Sequence, residues 1–175
     1  MRTRFVNLVL LVVLLVGSAL AYPRLPERIP AHFGLDGTPD RWVETSLVAW
    51  FMLPLITLGM NALLYGLAAL TMRNPRFVNL PGKERLLALP LERQHAVMHT
   101  MREGMESLLA PMTLAFCLIQ LSIYRTAIGA GGRVEIVAAL LLVLLGSTIG
   151  TIGMLLRTQA ELDRQVRLER EAAAS

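Results

Sequence analysis

The chain has 175 residues, a formal net charge of +4 and 54% hydrophobic residues, a composition too apolar for an ordinary soluble domain. The positive charge does not indicate a nucleic-acid partner, because no cluster of Lys and Arg with interleaved aromatic residues occurs. The single cysteine, Cys117, excludes an intramolecular disulfide and a zinc site built from cysteines. Composition therefore favours a membrane protein whose first partner is the lipid bilayer.

Four apolar stretches without any Asp, Glu, Lys or Arg indicate the architecture. They contain 17, 26, 18 and 21 residues and cover 5–21, 47–72, 107–124 and 136–156. A hydrocarbon core of about 30 Å needs about 20 helical residues to cross it, and a helix satisfies its own backbone hydrogen bonds there. The sequence predicts an all-α integral membrane protein with four transmembrane helices, in which residues 1–175 form a single membrane domain.

The distribution of basic residues predicts the orientation of these helices. Twelve Lys and Arg residues lie in the N-terminus, the 73–106 loop and the 157–175 tail, against five in the 22–46 and 125–135 loops. The positive-inside rule then makes both termini and the 73–106 loop cytoplasmic and 22–46 an outer loop. Trp42, Trp50, Tyr22 and Tyr124 lie near the predicted outer ends of the spans, where aromatic rings prefer the interface. The first span also fits a signal peptide with a cleavage site at 19–21.

Small and polar residues within the spans predict how the helices pack. Asn61 and Gln120 are expected to face the bundle interior, because an amide is costly against lipid. Gly146, Gly150 and Gly153 are expected to form a face that allows close helix contact. The spans hold no charged residue, which disfavours an ion-coupled transporter.

The 73–106 loop contains a predicted amphipathic helix over 91–108. Its apolar stripe is formed by residues 91, 98, 101, 105 and 108, and the helix is expected to lie at the cytoplasmic interface. A polar arc on the same helix includes His95 and His99 with flanking glutamates, which we interpret as a solvated face. The alternative is a zinc or iron site using His95 and His99. The tail is expected to continue as a helix that frays into an Ala-rich coil.

The outer loop is rich in proline and glycine and is predicted to be an ordered, extended hairpin with a turn at 35–37, in which Gly37 can take a positive φ. Its shape is attributed to Pro26, Pro30, Phe33, Gly37, Pro39 and Trp42. The side chains of the loop that are predicted to bind a partner are His32, Asp36, Asp40 and Arg41. They would form a receptor surface for an extracellular peptide, or a weak metal site that uses His32 with an aspartate. The alternative is that Asp40 pairs with Arg41 or caps the following segment.

Two motifs carry a resemblance to a known family. LPERIPAHFGLDGTPDRW at 25–42 and NLPGKERLLALPLERQ at 79–94 resemble a bacterial membrane family of unknown function. The same domain forms the N-terminal part of Sdp-type immunity proteins, which protect a cell against a secreted toxin and continue into a further multi-span domain. The resemblance covers roughly residues 5–125. It implies a multi-pass protein of the bacterial cytoplasmic (inner) membrane.

The residues offer no recognisable catalytic constellation. No catalytic triad, Gly-rich phosphate loop or HExxH motif occurs in the sequence. We therefore expect a non-enzymatic cell-envelope protein without a cofactor, acting through another membrane or extracellular protein or peptide. An immunity-like factor, a receptor and an accessory or structural subunit of a larger membrane complex all fit this expectation. The alternative is a small membrane transporter or membrane-embedded enzyme.

Overall fold

Helices dominate the computed structural model, which describes residues 2–34, 36–73 and 75–174. Four helical stretches among these residues are long and apolar enough to cross a membrane, namely Thr3–Arg24, Leu47–Thr71, Leu91–Ala127 and Arg133–Ala174. In chain order the elements are α1 (Arg2–Ala21), β1 (Arg28–Phe33), β2 (Pro39–Glu44), α2 (Leu47–Thr71), α3 (Lys83–Leu87), α4 (Leu91–Ser107), α5 (Leu109–Ala127), α6 (Arg133–Leu141) and α7 (Ser147–Ala174). The predicted helical architecture with four candidate spans is confirmed, and the structure adds the two strands β1 and β2.

The last predicted span differs from the expectation in two ways. A π-helical turn, Leu142–Gly146, joins α6 to α7. The helix then continues to Ala174, so the predicted fraying of the tail is wrong over the described residues. Alanine has the highest helix propensity, so the Ala-rich end of α7 can be helical without packing against another helix.

Contacts within the chain fall into two compact units, each assembled from two separate stretches of sequence. As far as they are described, residues 1–61 and 109–147 form the first unit and residues 62–108 and 148–175 form the second. The single-domain description and the cytoplasmic position of both termini stay predictions.

Polar side chains hold the centre of the first unit. Asn7 Nδ2 donates to Asn61 Oδ1 at 2.7 Å, and Asn61 Nδ2 donates to Thr57 O at 2.9 Å and to Thr113 Oγ1 at 3.2 Å. Asn61 and Gln120 are both buried, which confirms that they face the protein interior. Because apolar packing gains little where lipid is equally apolar, interhelical hydrogen bonds of this kind help to join spans.

Trp50 is buried within the first unit. It is 2% exposed, and its Nε1 donates to Ser18 O at 2.8 Å. The ring therefore packs against the protein, and its position at the membrane interface stays a prediction. An indole N–H that finds a backbone acceptor can be buried at little cost.

Aliphatic side chains form the core of the second unit. The cluster contains Val78, Leu80, Leu86, Leu89, Val97, Met98 and Leu162. Two members belong to α4 and Leu162 belongs to α7, so the apolar stripe of α4 is covered by the chain itself. Leu91, which the predicted stripe included, is instead 70% exposed. The amphipathic helix is present, and its position at the membrane interface stays a prediction.

The three glycines predicted to pack differ in their surroundings. A Cβ at Gly146 would lie 3.4 Å from Pro111 Cβ, and one at Gly150 would clash with the Leu108 side chain. At Gly153 no described atom outside the local helix backbone would lie within 4 Å. Close helix approach therefore occurs at Gly146 and Gly150.

Candidate functional site

The predicted outer loop folds as an antiparallel hairpin. Its strands pair Ile29 with Val43, Pro30 with Trp42 and His32 with Arg41, with irregular register on both sides of His32. Pro30 lacks an N–H, which a strand at the edge of a sheet tolerates. Ile29 and Pro30 are buried and β1 lies against α5, whereas the side chains of β2 are mostly exposed. Strand β1 therefore anchors the hairpin on the helices, and strand β2 exposes its side chains.

Side-chain and backbone hydrogen bonds fix both ends of the hairpin. At its base, Thr45 Oγ1 donates to Pro26 O at 2.6 Å and Thr45 N donates to Glu27 O at 2.8 Å. At its tip, Gly34 N donates to Thr38 O at 2.8 Å and Gly37 N donates to Gly34 O at 2.9 Å. Sequence reasoning missed Thr45, because its partner Pro26 is 19 residues away and no local pattern marks it.

Asp36 belongs to the turn. Thr38 donates to Asp36 Oδ1 from its backbone N at 3.1 Å and from its hydroxyl at 2.7 Å. These hydrogen bonds, the one from the Thr38 side chain first, stabilise the carboxylate and hold the pKa of Asp36 below its usual value. Leu35, part of the predicted turn, lies outside the described residues. Asp36 was expected to bind a partner, and the structure gives it a local role in shaping the tip.

Gly37 has a backbone conformation that few other residues adopt. Its φ is +75°, and a Cβ built there would lie 2.9 Å from Arg133 Cγ. The prediction that this glycine takes a positive φ is confirmed. The left-handed region and the close approach of Arg133 both disfavour a side chain at this position.

We expect Gly37→Val to lower the free energy of unfolding by about 1–3 kcal/mol, the cost of strained backbone. Thermal unfolding in a fixed detergent measures the change. Ala31→Val is the control, because Ala31 is an exposed strand residue and valine suits a strand. If the two variants melt together, the tip does not require the left-handed conformation.

His32, Asp40, Arg41 and Trp42 are exposed residues of the hairpin, and we call this group the hairpin face. His32 Nδ1 lies 2.6 Å from Asp40 Oδ1, and both side chains are more than half exposed. Trp42 is 37% exposed, and Arg41, the residue before it in β2, is exposed on the opposite side of the strand. A side-chain contact this accessible contributes little stability. The contact instead restricts the orientations of the His32 and Asp40 side chains.

Asp40 pairs with His32, so the alternative in which it pairs with Arg41 is wrong. Consecutive residues of a strand point to opposite faces, which separates the side chains of Asp40 and Arg41. The register shift between His32 and Phe33 leaves Asp40 without a direct strand partner. Its carboxylate can then reach the imidazole on the neighbouring strand.

The second histidine group lies on α4. His99 Nδ1 is 3.9 Å from Glu103 Oε2, and both side chains are 62% exposed. His95 is also exposed. Within the described residues no three His, Cys, Asp or Glu side chains are grouped to hold a metal. That His95 and His99 bind no metal stays a prediction.

Residues 9–58 match the model of DUF1648, a domain of unknown function. The matched range contains the whole hairpin, most of α1 and the first half of α2. An uncharacterised protein of Archaeoglobus fulgidus is 37% identical over 81 residues, which cover 43% of this chain and 43% of that protein. The chain thus spans less than half the length of this relative. No solved structure matches the chain.

These matches support one part of the resemblance read from the motifs. The chain carries a domain of unknown function and resembles a distant archaeal protein without assigned activity. Neither match concerns the Sdp-type immunity proteins, and a role in immunity is a proposal.

Proposed function

We propose that this chain is a non-enzymatic membrane protein that recognises another membrane protein or an extracellular peptide through the hairpin face. The observation that supports this is the exposure of Arg41, Trp42 and the His32–Asp40 pair on a hairpin whose two ends are held by hydrogen bonds. Arg and Trp are enriched among residues that dominate binding energy. A surface fixed in advance loses little entropy when a partner binds.

The sheet itself suggests how an extended partner would bind. The hairpin is a two-stranded sheet, and β1 lies against α5. The outer edge of β2 has no neighbouring strand within the described residues, so its backbone groups can pair with an added strand. Arg41 then favours an acidic residue in the partner, and Trp42 favours an apolar one.

The biological role we propose is that of an immunity-like factor, receptor or accessory subunit in a bacterial cytoplasmic membrane. The motif resemblance and the match to a domain of unknown function support it. The basic residues of the 73–106 loop and the tail support an orientation with both termini inside. The hairpin face would then be available to a partner outside the cell or in the membrane plane.

The orientation is tested with two single cysteines in a Cys117→Ala background. We expect Ala31→Cys, in β1, to react with an impermeant thiol reagent from outside intact cells. Ala88→Cys, just beyond α3, should react only after the cells are opened. Both positions are exposed alanines, so neither change disturbs packing. Reaction of both cysteines from the same side would contradict the four-span orientation.

The recognition proposal is tested by photocrosslinking in native membranes. A photoreactive residue at Ala31 is expected to capture one partner, identified by mass spectrometry, and the same residue at exposed Ala160 on α7 serves as the control. Arg41→Ala should reduce capture at least tenfold and leave the unfolding midpoint unchanged, because Arg41 is exposed. Capture undiminished by Arg41→Ala, or adducts with lipid alone, would contradict recognition by the hairpin face.

A further inference from the structure

A group of basic residues follows the second candidate span. α2 is long and apolar enough to cross a membrane, and within residues 72–85, which follow it, the only acidic residue is Glu84. The basic residues of this segment, which we call the basic turn, are Arg73, Arg76, Lys83 and Arg85. Their charge and their position directly after a span favour an anionic lipid as the partner.

The segment that carries the basic turn is folded against the core of the second unit. Val78 and Leu80 are buried in the aliphatic cluster that also contains Leu162 of α7. Gln159 Nε2, also on α7, donates to Pro81 O at 2.7 Å. Because these contacts fix the backbone of the segment in advance, an anion that binds here loses little affinity to the ordering of the chain.

The fold brings cations of the basic turn together. Lys83 Nζ donates to Arg76 O at 2.5 Å, although the two residues are seven positions apart in the sequence. Arg85 lies over the same turn, because a Cβ built at Gly82 would be 2.8 Å from Arg85 Nη2. Arg85 Nη1 donates to Asp163 Oδ1 at 2.8 Å. Ammonium and guanidinium groups carry several N–H donors, so Lys83 and Arg85 keep donors for an anion beyond these two hydrogen bonds.

The carboxylates of the second unit do not neutralise the whole basic turn. The salt bridges among the described residues of this unit include Arg85 with Asp163, but none of them uses Arg73 or Lys83. Arg73 is exposed and Lys83 is half-buried. Lipid phosphates are the most concentrated anions at the end of a membrane span, and they can supply the missing partners.

We propose that the basic turn binds the headgroup of an anionic phospholipid. The phosphate accepts hydrogen bonds from Lys83 and from the arginines of the turn, whose guanidinium groups bind phosphate well. The acyl chains lie along the end of α2, where Leu67 and Leu70 are 43% and 54% exposed. A zwitterionic headgroup also offers a phosphate, but the basic turn repels the cation of that headgroup. The turn therefore prefers phosphatidylglycerol to phosphatidylcholine.

The test titrates the full chain, in a non-ionic detergent, with two lipids that differ only in their headgroups. They are dioleoyl phosphatidylglycerol and dioleoyl phosphatidylcholine, and native mass spectrometry gives a dissociation constant for each. We expect phosphatidylglycerol to bind at least tenfold more tightly. Arg73→Gln combined with Lys83→Gln should lower this preference at least tenfold, because each cation near a headgroup contributes about fivefold.

Folding of the variants is verified by their helical circular dichroism and their unfolding midpoints. Lys83→Gln removes the hydrogen bond from the ammonium group to Arg76 O, which can loosen the turn. Arg73→Gln alone leaves this hydrogen bond in place. The single variant should lower the preference for phosphatidylglycerol about fivefold at an unchanged unfolding midpoint.

A matched double variant on α7 separates this site from the general attraction between basic residues and lipid. Arg157→Gln combined with Arg167→Gln removes the same charge from two exposed positions. Arg157 directly follows the fourth apolar stretch, so it is also close to the end of a span. It points away from the side of α7 on which Gln159 contacts Pro81, because residues two positions apart on a helix are about 200° apart. This variant should change the lipid preference less than twofold.

Glycerol phosphate, which carries the phosphate without acyl chains, distinguishes a lipid site from a site for free phosphate, and we expect it not to displace phosphatidylglycerol. Three results would overturn the proposal. They are equal binding of the two lipids, which would leave an acidic protein as the partner of the basic turn, an equal loss of preference in the two double variants, and displacement of phosphatidylglycerol by glycerol phosphate. None of these results depends on the hairpin face, so the recognition proposal stands or fails separately.

Discussion

Leu162→Ala is expected to lower the free energy of unfolding by about 2–5 kcal/mol, the usual cost of removing a fully buried leucine side chain. Leu162 has no exposed surface and packs into the cluster with Leu86, Val97 and Met98. This side chain brings α7 into contact with α3 and α4. Its loss should therefore loosen the tail as well as destabilise the second unit.

Two measurements check this expectation. Unfolding in mixed micelles, followed by circular dichroism, reports the change in stability, and the rate of tryptic cleavage at exposed Arg164 and Arg167 reports loosening of the tail. Leu168→Ala on the same helix is the matched control, because Leu168 is 37% exposed. The control should change stability by no more than about 0.5 kcal/mol. A Leu162→Ala protein that unfolds and is cleaved like the control would show that the tail does not depend on this contact.

Asn61→Leu is expected to lower the free energy of unfolding by about 1–2 kcal/mol, even though leucine is the more hydrophobic residue. Asn61 accepts from Asn7 and donates to Thr57 and Thr113, joining residues of α1, α2 and α5. With leucine at this position, Asn7 Nδ2 would lose its acceptor, Asn61 Oδ1. Thr113 Oγ1 would lose its donor, Asn61 Nδ2. Buried polar groups that lose their partners cost more than the added apolar surface gains.

A double-mutant cycle isolates the contribution of one of these hydrogen bonds. Asn61→Leu, Thr113→Val and the double variant are compared in the same mixed micelles. We expect a coupling energy of about 0.5–1.5 kcal/mol, as found for hydrogen bonds between membrane helices. Leu63→Ala, at a 62% exposed position two residues away on α2, controls for changes at the lipid-facing surface. Additive effects of the two changes would contradict a direct interaction between Asn61 and Thr113.

The sequence by itself determined the features that depend on local chemistry. Four stretches without charge predicted four candidate spans, because a charged side chain is costly in hydrocarbon. The positive φ of Gly37 followed from its place in a turn, and the burial of Asn61 and Gln120 followed from the cost of an amide facing lipid. Each of these inferences needs only a residue, its neighbours in the chain and the solvent around them.

Only the tertiary structure decided which distant residues meet. Trp50 is inside because Ser18, 32 residues away, offers a carbonyl to its ring, and its own carbonyl accepts from Gln120, 70 residues away. Likewise, Leu162 packs beneath α4 instead of leaving the apolar stripe of that helix open to lipid. The hydrophobic pattern tells which face of a helix is apolar, but many partners bury that face equally well. The partner is selected by how the side chains of all the helices fit together at close range.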